Sequence, residues 1–193
     1  MTIDQIKENL KSRTVGIAGC GGLGSNCAVA LARVGVGRLV IADFDEVSES
    51  NLNRQYYFHF QVGRRKVLAL KETIMLIDPA IEIIPFDTRL DRNNIPKVFA
   101  NCEVIVEAFD LADQKEMLIE TVLSEMPEKY LVVGLGMAGW GDSNTIHCRK
   151  VDKMFICGDE ISEISPELPP IAPRVGMVAS MQANVVLEIL LNN

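Results

Sequence analysis

Short apolar runs alternate with stretches of helical periodicity, and this alternation limits the fold more than any other feature of the chain. The apolar runs cover residues 14–18, 38–42, 81–86, 104–108 and 130–135. Strands that are apolar along their whole length are buried on both faces, as in parallel sheets covered by helices on each side. The pattern predicts an α/β fold with a doubly wound, mostly parallel sheet, whose ligands bind beyond the carboxyl ends of the strands.

Helical patterns fill the gaps between these runs. Helices are predicted over 23–34, 63–77, 95–100, 113–126 and 175–191. A late hairpin over about 145–156 adds an antiparallel extension near the C-terminus. Two segments break the pattern: 46–60 is polar and aromatic, and 160–173 carries four prolines, which exclude a regular helix or a central strand.

Composition narrows the classes of function. The 193 residues, 48% hydrophobic and 23% charged, suit a single domain over Met1–Asn193. A net charge of −7 disfavours nucleic acid as a partner, because an acidic surface repels phosphate backbones. No signal peptide and no apolar run long enough for a bilayer are apparent, so no membrane partner is expected. Five scattered cysteines without a CxxC pair favour a reducing, cytoplasmic location.

A glycine motif follows the first predicted strand and opens the next helix. Gly19, Gly21 and Gly24 form GxGxxG in the order strand, turn, helix, and Gly22 is a further glycine within it. Glycine lets a phosphate approach the backbone, and the helix N-terminus supplies unpaired N–H groups. Asp43, at the end of the second strand, is placed to accept hydrogen bonds from ribose hydroxyls. The motif predicts a nucleotide site, the alternative being a turn that only packs helix on strand.

The same pattern occurs in NAD-dependent dehydrogenases. The residues that follow are therefore needed to distinguish an ATP site from an NAD site. Asn51, Arg54 and Gln55 follow Asp43, and Lys66 lies at the start of the next helix. A triphosphate carries more charge than a dinucleotide diphosphate, and a leaving pyrophosphate needs cations. Arg54 offers a planar fork and Lys66 a point charge, which favours ATP.

Read together, these motifs resemble the ThiF/MoeB family, relatives of the ubiquitin-activating enzymes. The matching elements are GxGGLGS at 19–25, GVG at 35–37, DFD at 43–45, SNLNRQ at 50–55, VGxxK at 62–66, VIVEAFD at 104–110 and the helix at 176–190. The resemblance covers nearly the whole chain and is nearest to the short, zinc-less ThiF proteins of thiamine biosynthesis. It implies a Rossmann-like fold.

The resemblance also implies a reaction. ATP and Mg²⁺ would be used to adenylate the C-terminal Gly-Gly carboxylate of a ThiS-like, ubiquitin-fold sulfur carrier, releasing pyrophosphate, and the enzyme would be a homodimer. By this resemblance Asp43 would hold the ribose. The phosphates would be held by Asn51, Arg54, Gln55 and Lys66. Asp110 would organise the metal, and Arg54, Lys66 and Asp110 would be the catalytic residues.

The residues themselves add two points about this chemistry. A carboxylate is already ionised at neutral pH, so the attack needs no general base, and His59 and His147 are interpreted as structural. Asp110 follows an inner strand at the ligand edge of the sheet, but it also suits an N-cap for the helix that begins near Leu111.

The sequence departs from the family pattern in several places. The CxxC pairs that bind zinc in many relatives are missing, so no zinc is expected. Many relatives also have an Arg-Tyr-x-Arg-Gln element ahead of the first strand, whose arginine reaches the nucleotide of the partner subunit. This element is missing here, and Arg64 and Arg65 are candidates to replace its arginine. Cys157 is a candidate for a covalent link to the carrier, the alternative being a packed thiol. Segment 160–173 either clamps the carrier tail or is a plain surface loop.

An NAD(P)-dependent oxidoreductase and a non-catalytic nucleotide-binding protein of the same fold remain the alternative functions.

Overall fold

A computed structural model describes residues 1–192 and places seven strands in one sheet. The strands are β1 (Thr14–Ala18), β2 (Arg38–Asp43), β3 (Glu82–Asp87), β4 (Val104–Glu107), β5 (Tyr130–Gly134), β6 (His147–Val151) and β7 (Met154–Gly158). Their order is β3-β2-β1-β4-β5-β7-β6, and every neighbouring pair is parallel except β6 with β7. The predicted doubly wound sheet with an antiparallel extension is confirmed.

Helices cover both faces of this sheet. They are α1 (Ile3–Leu10), α2 (Gly22–Val34), α3 (Lys66–Ile77), α4 (Ile95–Val98), α5 (Ala112–Glu125) and α6 (Ala172–Asn192), with short 3-10 turns at Glu49–Asn51, His59–Gln61 and Ser143–Thr145. One apolar core lies under α2, α3 and α6, and a second lies under α4 and α5. Burial on both faces is the physical reason that the inner strands are apolar throughout.

The register of the sheet brings the functional end of each inner strand to one edge. Ala18, the last residue of β1, lies opposite Ala42 of β2 and Glu107 of β4. The carboxyl ends of β5 and β7 reach the same edge, since Gly134 pairs with Cys157. Residues that follow any of these strands are therefore close together, although they are far apart along the chain.

The start of α6 corrects one prediction. Segment 160–171 has no helix or strand, as expected, but Pro173 belongs to the first turn of α6. A proline is tolerated there because the N–H groups of a first turn have no intrahelical acceptor. The last helix therefore begins three residues earlier than predicted.

α6 is long and apolar enough, by length and composition, to cross a membrane. Half of its most apolar window is buried inside the fold, where Val178, Val185 and Ile189 face the core as predicted. Packing inside the fold accounts for the apolar character of this helix.

Helix α1 is absent from the sequence-based prediction. It begins with a capping box, in which Thr2 accepts the Gln5 N–H and the Gln5 side chain accepts the Thr2 N–H. Leu10 at its end is fully buried. The capping pair was the local signal that could have revealed the helix.

Candidate nucleotide-binding site

The glycine loop forms a tight turn at the carboxyl end of β1. Gly19 has φ 97°, a left-handed conformation that favours glycine, and its N–H donates to the Ala42 carbonyl at 2.8 Å. A Cβ at Gly24 would lie 1.8 Å from the Gly19 carbonyl oxygen. α2 begins at Gly22 with no side-chain cap among the described residues. Its first-turn N–H groups therefore face the sheet edge where an anion can bind.

Asp43 is fixed beside this turn. Its Oδ2 accepts the Cys20 N–H at 2.7 Å, and its Oδ1 accepts the Asp45 N–H at 2.7 Å. Burial raises the pKa of Asp43, and the charge of Lys66 opposes that rise. A carboxylate held by two backbone donors at the end of β2 suits hydrogen bonding to ribose hydroxyls.

The polar segment after β2 lies across the start of α2. Asn26 donates to the Arg54 carbonyl at 2.9 Å, and the Ser25 hydroxyl accepts the Tyr56 N–H at 2.9 Å. The Arg54 stem packs near Gly22, and its Nη1 donates to Asn53 Oδ1 at 2.8 Å. Contacts from α2 thus hold the motif at residues 50–55 against the glycine loop.

Gln55 and Asn51 occupy different environments within this segment. Gln55 is 8% exposed, and its amide nitrogen would be 3.8 Å from a Cβ at Gly21. Its Oε1 is buried and has no hydrogen-bond partner within residues 1–192. Asn51 is half-buried, and its side-chain oxygen accepts the Ser48 N–H at 3.1 Å. Gln55 therefore lies against the glycine loop, whereas Asn51 caps its own turn.

Lys66 is the first residue of α3, which begins three residues later than the predicted start at Gly63, and its side chain is only 7% exposed. Its Nζ lies 2.8 Å from Asp45 Oδ2. The sequence interpretation missed Asp45 as this partner, although the DFD motif contains it. Lys66 is a buried charge at the nucleotide edge, not a solvated surface lysine.

Arg64 and Arg65 have partners of their own. Arg64 forms a bidentate ion pair with Glu72. Arg65 donates to Asp87 Oδ2 and to the Phe44 carbonyl, each at 2.8 Å. These contacts account for both guanidinium groups, so the structure gives no support to their replacing the missing N-terminal arginine.

Asp110 lies three residues beyond the end of β4, and it is exposed. The N-cap of α5 is Leu111, with no side-chain cap bond among the described residues. The interpretation of Asp110 as a helix cap is therefore wrong. Its carboxylate is at the sheet edge and accessible.

A buried ion pair near Asp110 was missed from the sequence. Glu107 is fully buried, and both of its carboxylate oxygens accept from Lys115 Nζ, at 3.0 and 2.8 Å. Lys115 also donates to the Gly134 carbonyl at 2.9 Å. Burial raises the pKa of Glu107, and Lys115 opposes that rise. The one signal in the sequence is a charged residue within an apolar strand.

A second buried ion pair lies beyond β7. Arg174 Nη2 is 2.6 Å from Asp159 Oδ2, and both side chains are 6% exposed. Burial alone would raise the pKa of Asp159, but the N–H groups of Ser162 and Ile161, together with Arg174, hold it well below its usual range. No local pattern joins residues so far apart, so the pair could not be read from the sequence.

Cys157 does not suit a covalent step. It is fully buried, and burial raises its pKa strongly. Its Sγ lies 3.9 Å from that of Cys148, its cross-strand neighbour. A nucleophilic cysteine needs an accessible thiolate, so the proposed covalent role is wrong and Cys157 is a packed thiol.

His147 is exposed, and its ring nitrogens contact the Thr145 carbonyl and Glu160. These hydrogen bonds raise the pKa of His147. Within residues 1–192, no three His, Cys, Asp or Glu side chains come together as a metal-binding group.

The glycine turn, the Asp43 carboxylate and the Arg54–Gln55 segment thus meet at one sheet edge. The ThiF family matches residues 2–193. The chain belongs to the ThiF family. The resemblance inferred from the motifs is thereby confirmed.

Individual relatives are adenylyltransferases by name. The chain is 30% identical over 191 residues to the adenylyltransferase and sulfurtransferase MOCS3 of Caenorhabditis briggsae, covering 95% of this chain and 47% of that protein. It is 28% identical over 190 residues to the molybdopterin-synthase adenylyltransferase of Salmonella typhimurium, covering 95% and 75%. The chain thus spans about half of the first relative and three quarters of the second.

Solved structures share the fold. The E. coli tRNA N6-threonylcarbamoyladenosine dehydratase TcdA in complex with ATP superimposes with a TM-score of 0.86 at 21% identity, covering 98% of this chain and 90% of that one. The same protein in complex with AMP gives a TM-score of 0.87 at 19% identity, covering 97% and 90%. At this identity the likeness establishes the Rossmann-like ThiF fold.

Proposed function

We propose that this protein binds ATP and adenylates the C-terminal Gly-Gly carboxylate of a ThiS-like sulfur carrier in thiamine biosynthesis. The observation that carries the ATP part is the docking of residues 54–56 onto the first turn of α2, through the bonds of Asn26 to Arg54 and of Ser25 to Tyr56. A plain dinucleotide site has no need of a cation at this turn, whereas a triphosphate does. Membership of the ThiF family supports the same reaction over an oxidoreductase.

The residues present fit a bound triphosphate. The buried Gln55 Oε1 lacks a partner within the described chain, and its amide lies beside Gly21. The Arg54 stem packs near Gly22 at the start of α2, and Lys66, whose Nζ lies 2.8 Å from Asp45 Oδ2, begins α3. Asn51 lies three residues before Arg54. In this proposal Asp43 holds the ribose, while Arg54, Gln55 and Lys66 contact the phosphates.

Asp110 suits Mg²⁺ because this ion commonly binds one or two carboxylates together with substrate phosphates. Bound there, Mg²⁺ would neutralise phosphate charge. The chain itself has to align the incoming carboxylate with the α-phosphate and stabilise the leaving pyrophosphate. Arg54 and Lys66 are the residues that we assign to that charge stabilisation, and no proton has to be removed from the attacking group.

A second acceptor class is favoured by one observation. The tRNA threonylcarbamoyladenosine dehydratase of E. coli shares the fold over 90% of its chain. A carboxylate carried by a tRNA is therefore the alternative acceptor. The net charge of −7 weighs against it, since tRNA binding depends on neutralising phosphates.

Two measurements test the proposal. Titration calorimetry with ATP–Mg²⁺ and with NAD is expected to show binding of ATP alone; tight NAD binding would overturn the ATP assignment. Incubation with ATP and either a ThiS-like carrier ending in Gly-Gly or threonylcarbamoylated tRNA is then followed by intact mass spectrometry. An adenylated carrier is the expected product, whereas reaction of the tRNA alone would select the second acceptor.

We also propose a homodimer. Phe58 and Phe60 stack at 5.9 Å with substantial exposure, and Tyr56 meets Phe58 edge to face. An exposed aromatic cluster of this kind supports a protein interface. Light scattering after gel filtration is expected to give twice the chain mass, and a monomer at micromolar concentration would refute the proposal.

A further inference from the structure

The loops after β5 and β7 are bonded to one another. We call residues 135–142 and 159–171 together the acceptor wall. The Ala138 N–H donates to the Ser162 hydroxyl at 3.1 Å, and the Gly139 N–H donates to the Pro169 carbonyl at 2.9 Å. A Cβ at Gly139 would lie 2.4 Å from the Leu168 side chain. The two loops therefore form one surface instead of two independent flaps.

Arg174 joins this wall to α6. Its guanidinium donates to the Gly141 carbonyl, to the Thr145 hydroxyl at 3.1 Å and to Asp159 at 2.6 Å. The other oxygen of Asp159 accepts the N–H groups of Ile161 at 2.8 Å and Ser162 at 2.7 Å. One buried ion pair thus fixes both loops of the wall at the same point.

The start of α6 also contacts the nucleotide side. Val175 lies 3.0 Å from the position that a Cβ at Gly22 would take. The Ala172 N–H donates to the Asn53 carbonyl at 3.2 Å, next to Arg54. The first turn of α6 is therefore shared by the wall and by the segment assigned to the phosphates.

The chemistry of the wall indicates which acceptor it suits. It exposes apolar side chains and has left-handed glycines at Gly136, Gly139 and Gly141. Its exposed or half-exposed charged side chains are all acidic: Asp142, Glu160, Glu163 and Glu167. Glu160 is paired with Arg149, outside the wall, and the other three form no ion pair among residues 1–192. Such a surface repels a phosphate backbone and offers backbone groups to an extended peptide.

From these contacts we infer that Arg174 is a positioning residue for the acceptor. Through Asp159 and Gly141 it holds the wall in the conformation along which an extended, glycine-ended peptide tail reaches the nucleotide. The inference rests on the proposed function and deepens it, because it names the residue pair that prepares the path of the peptide acceptor.

The test compares Arg174→Met and Arg174→Lys with the wild type, using Arg92→Met as the matched control on an exposed ion pair remote from the wall. ATP–Mg²⁺ affinity is measured by calorimetry, and KM for a purified ThiS-like carrier by pyrophosphate exchange. We expect both Arg174 variants to raise the carrier KM at least tenfold, with ATP affinity within twofold of the wild type. An unchanged carrier KM, or an equal loss of ATP affinity, would overturn the inference.

Hydrogen exchange gives a readout that does not depend on the carrier. The amides of Gly139, Ile161 and Ser162 are expected to exchange at least tenfold faster in Arg174→Met, while amides of β1 stay protected. If Arg174→Met fails to fold, Asp159→Asn serves in its place. Equal exchange in variant and wild type would refute the positioning role. A wild type that binds ATP but adenylates no carrier would refute the proposed function instead, leaving the exchange result to decide the inference.

Discussion

The nucleotide side and the acceptor side of this sheet edge are built in different ways. The nucleotide side is held by backbone geometry and short contacts around α2, such as the Gly19 turn and the Ser25 and Asn26 hydrogen bonds. The acceptor side is held by hydrogen bonds between its two loops and by one buried ion pair between residues on different elements, Asp159 and Arg174. A single substitution of charge is therefore expected to disturb the acceptor side more than the nucleotide side.

Lys115 lies between the two sides, and its replacement is expected to have the largest effect on stability. Lys115 links β4 with β5, because it pairs with buried Glu107 and donates to the Gly134 carbonyl. Lys115→Met removes both contacts. An uncompensated buried carboxylate should lower the free energy of unfolding by about 3 kcal/mol. Urea denaturation measures the loss, which should shrink at acidic pH as Glu107 takes up a proton. Exposed Lys97→Met is the control, and equal midpoints for both variants would contradict the structural role.

Next in size is the effect of removing charge from the nucleotide side. Arg54→Ala or Asp110→Ala should reduce carrier-dependent ATP–pyrophosphate exchange by about a hundredfold or more, roughly 2.7 kcal/mol of transition-state stabilisation. The melting temperature should stay near that of the wild type, because both side chains are partly or fully exposed. Arg38→Ala, at the opposite edge of the sheet, should leave exchange unchanged. Near-normal exchange in both site variants would remove Arg54 and Asp110 from the mechanism.

A smaller loss is expected from adding one methyl group to the glycine turn. Gly24→Ala places a Cβ against the Gly19 carbonyl, a backbone atom that cannot rotate away. We expect a loss of about 2 kcal/mol in the free energy of unfolding, with weaker ATP binding. Gly176→Ala in α6, where a Cβ meets nothing within 4 Å, should be neutral or stabilising by up to about 1 kcal/mol. Similar stability for the two alanine variants would show that the turn is not tightly packed.

The smallest effect concerns acid stability of the acceptor side. Folding lowers the pKa of Asp159, so its carboxylate contributes stability above its unfolded value of about 3.9. That contribution is lost as the pH falls through the lower folded value. The gap in unfolding free energy between wild type and Asp159→Asn should therefore narrow below about pH 4. A gap that is constant from pH 7 to pH 3 would contradict the assignment.

Much of the site could be predicted because its parts carry local signals. GxGxxG after an apolar run indicated the turn, and Asp43 was found at the end of β2, as expected. Lys66 was found at the start of α3, although that helix begins three residues later than predicted. The partners of these residues could not be predicted, since Asp45, Glu107 and Arg174 acquire their roles only when distant segments meet. Asp110 and Cys157 show the same limit of prediction from sequence. Only the capping geometry of α5 showed that Asp110 is not a helix cap, and only burial showed that Cys157 is a packed thiol and not a nucleophile.

The sequence by itself determined the alternation of strands and helices from β1 onward, the glycine turn and the family, because apolar periodicity and glycine conformations are properties of short stretches of chain. Tertiary structure alone decided which charges are buried, which side chains pair and how the two loops of the acceptor wall are joined. The reason is physical: an ion pair depends on the distance between two atoms and on the water excluded around them, and neither is set until the sheet has brought its carboxyl edge together.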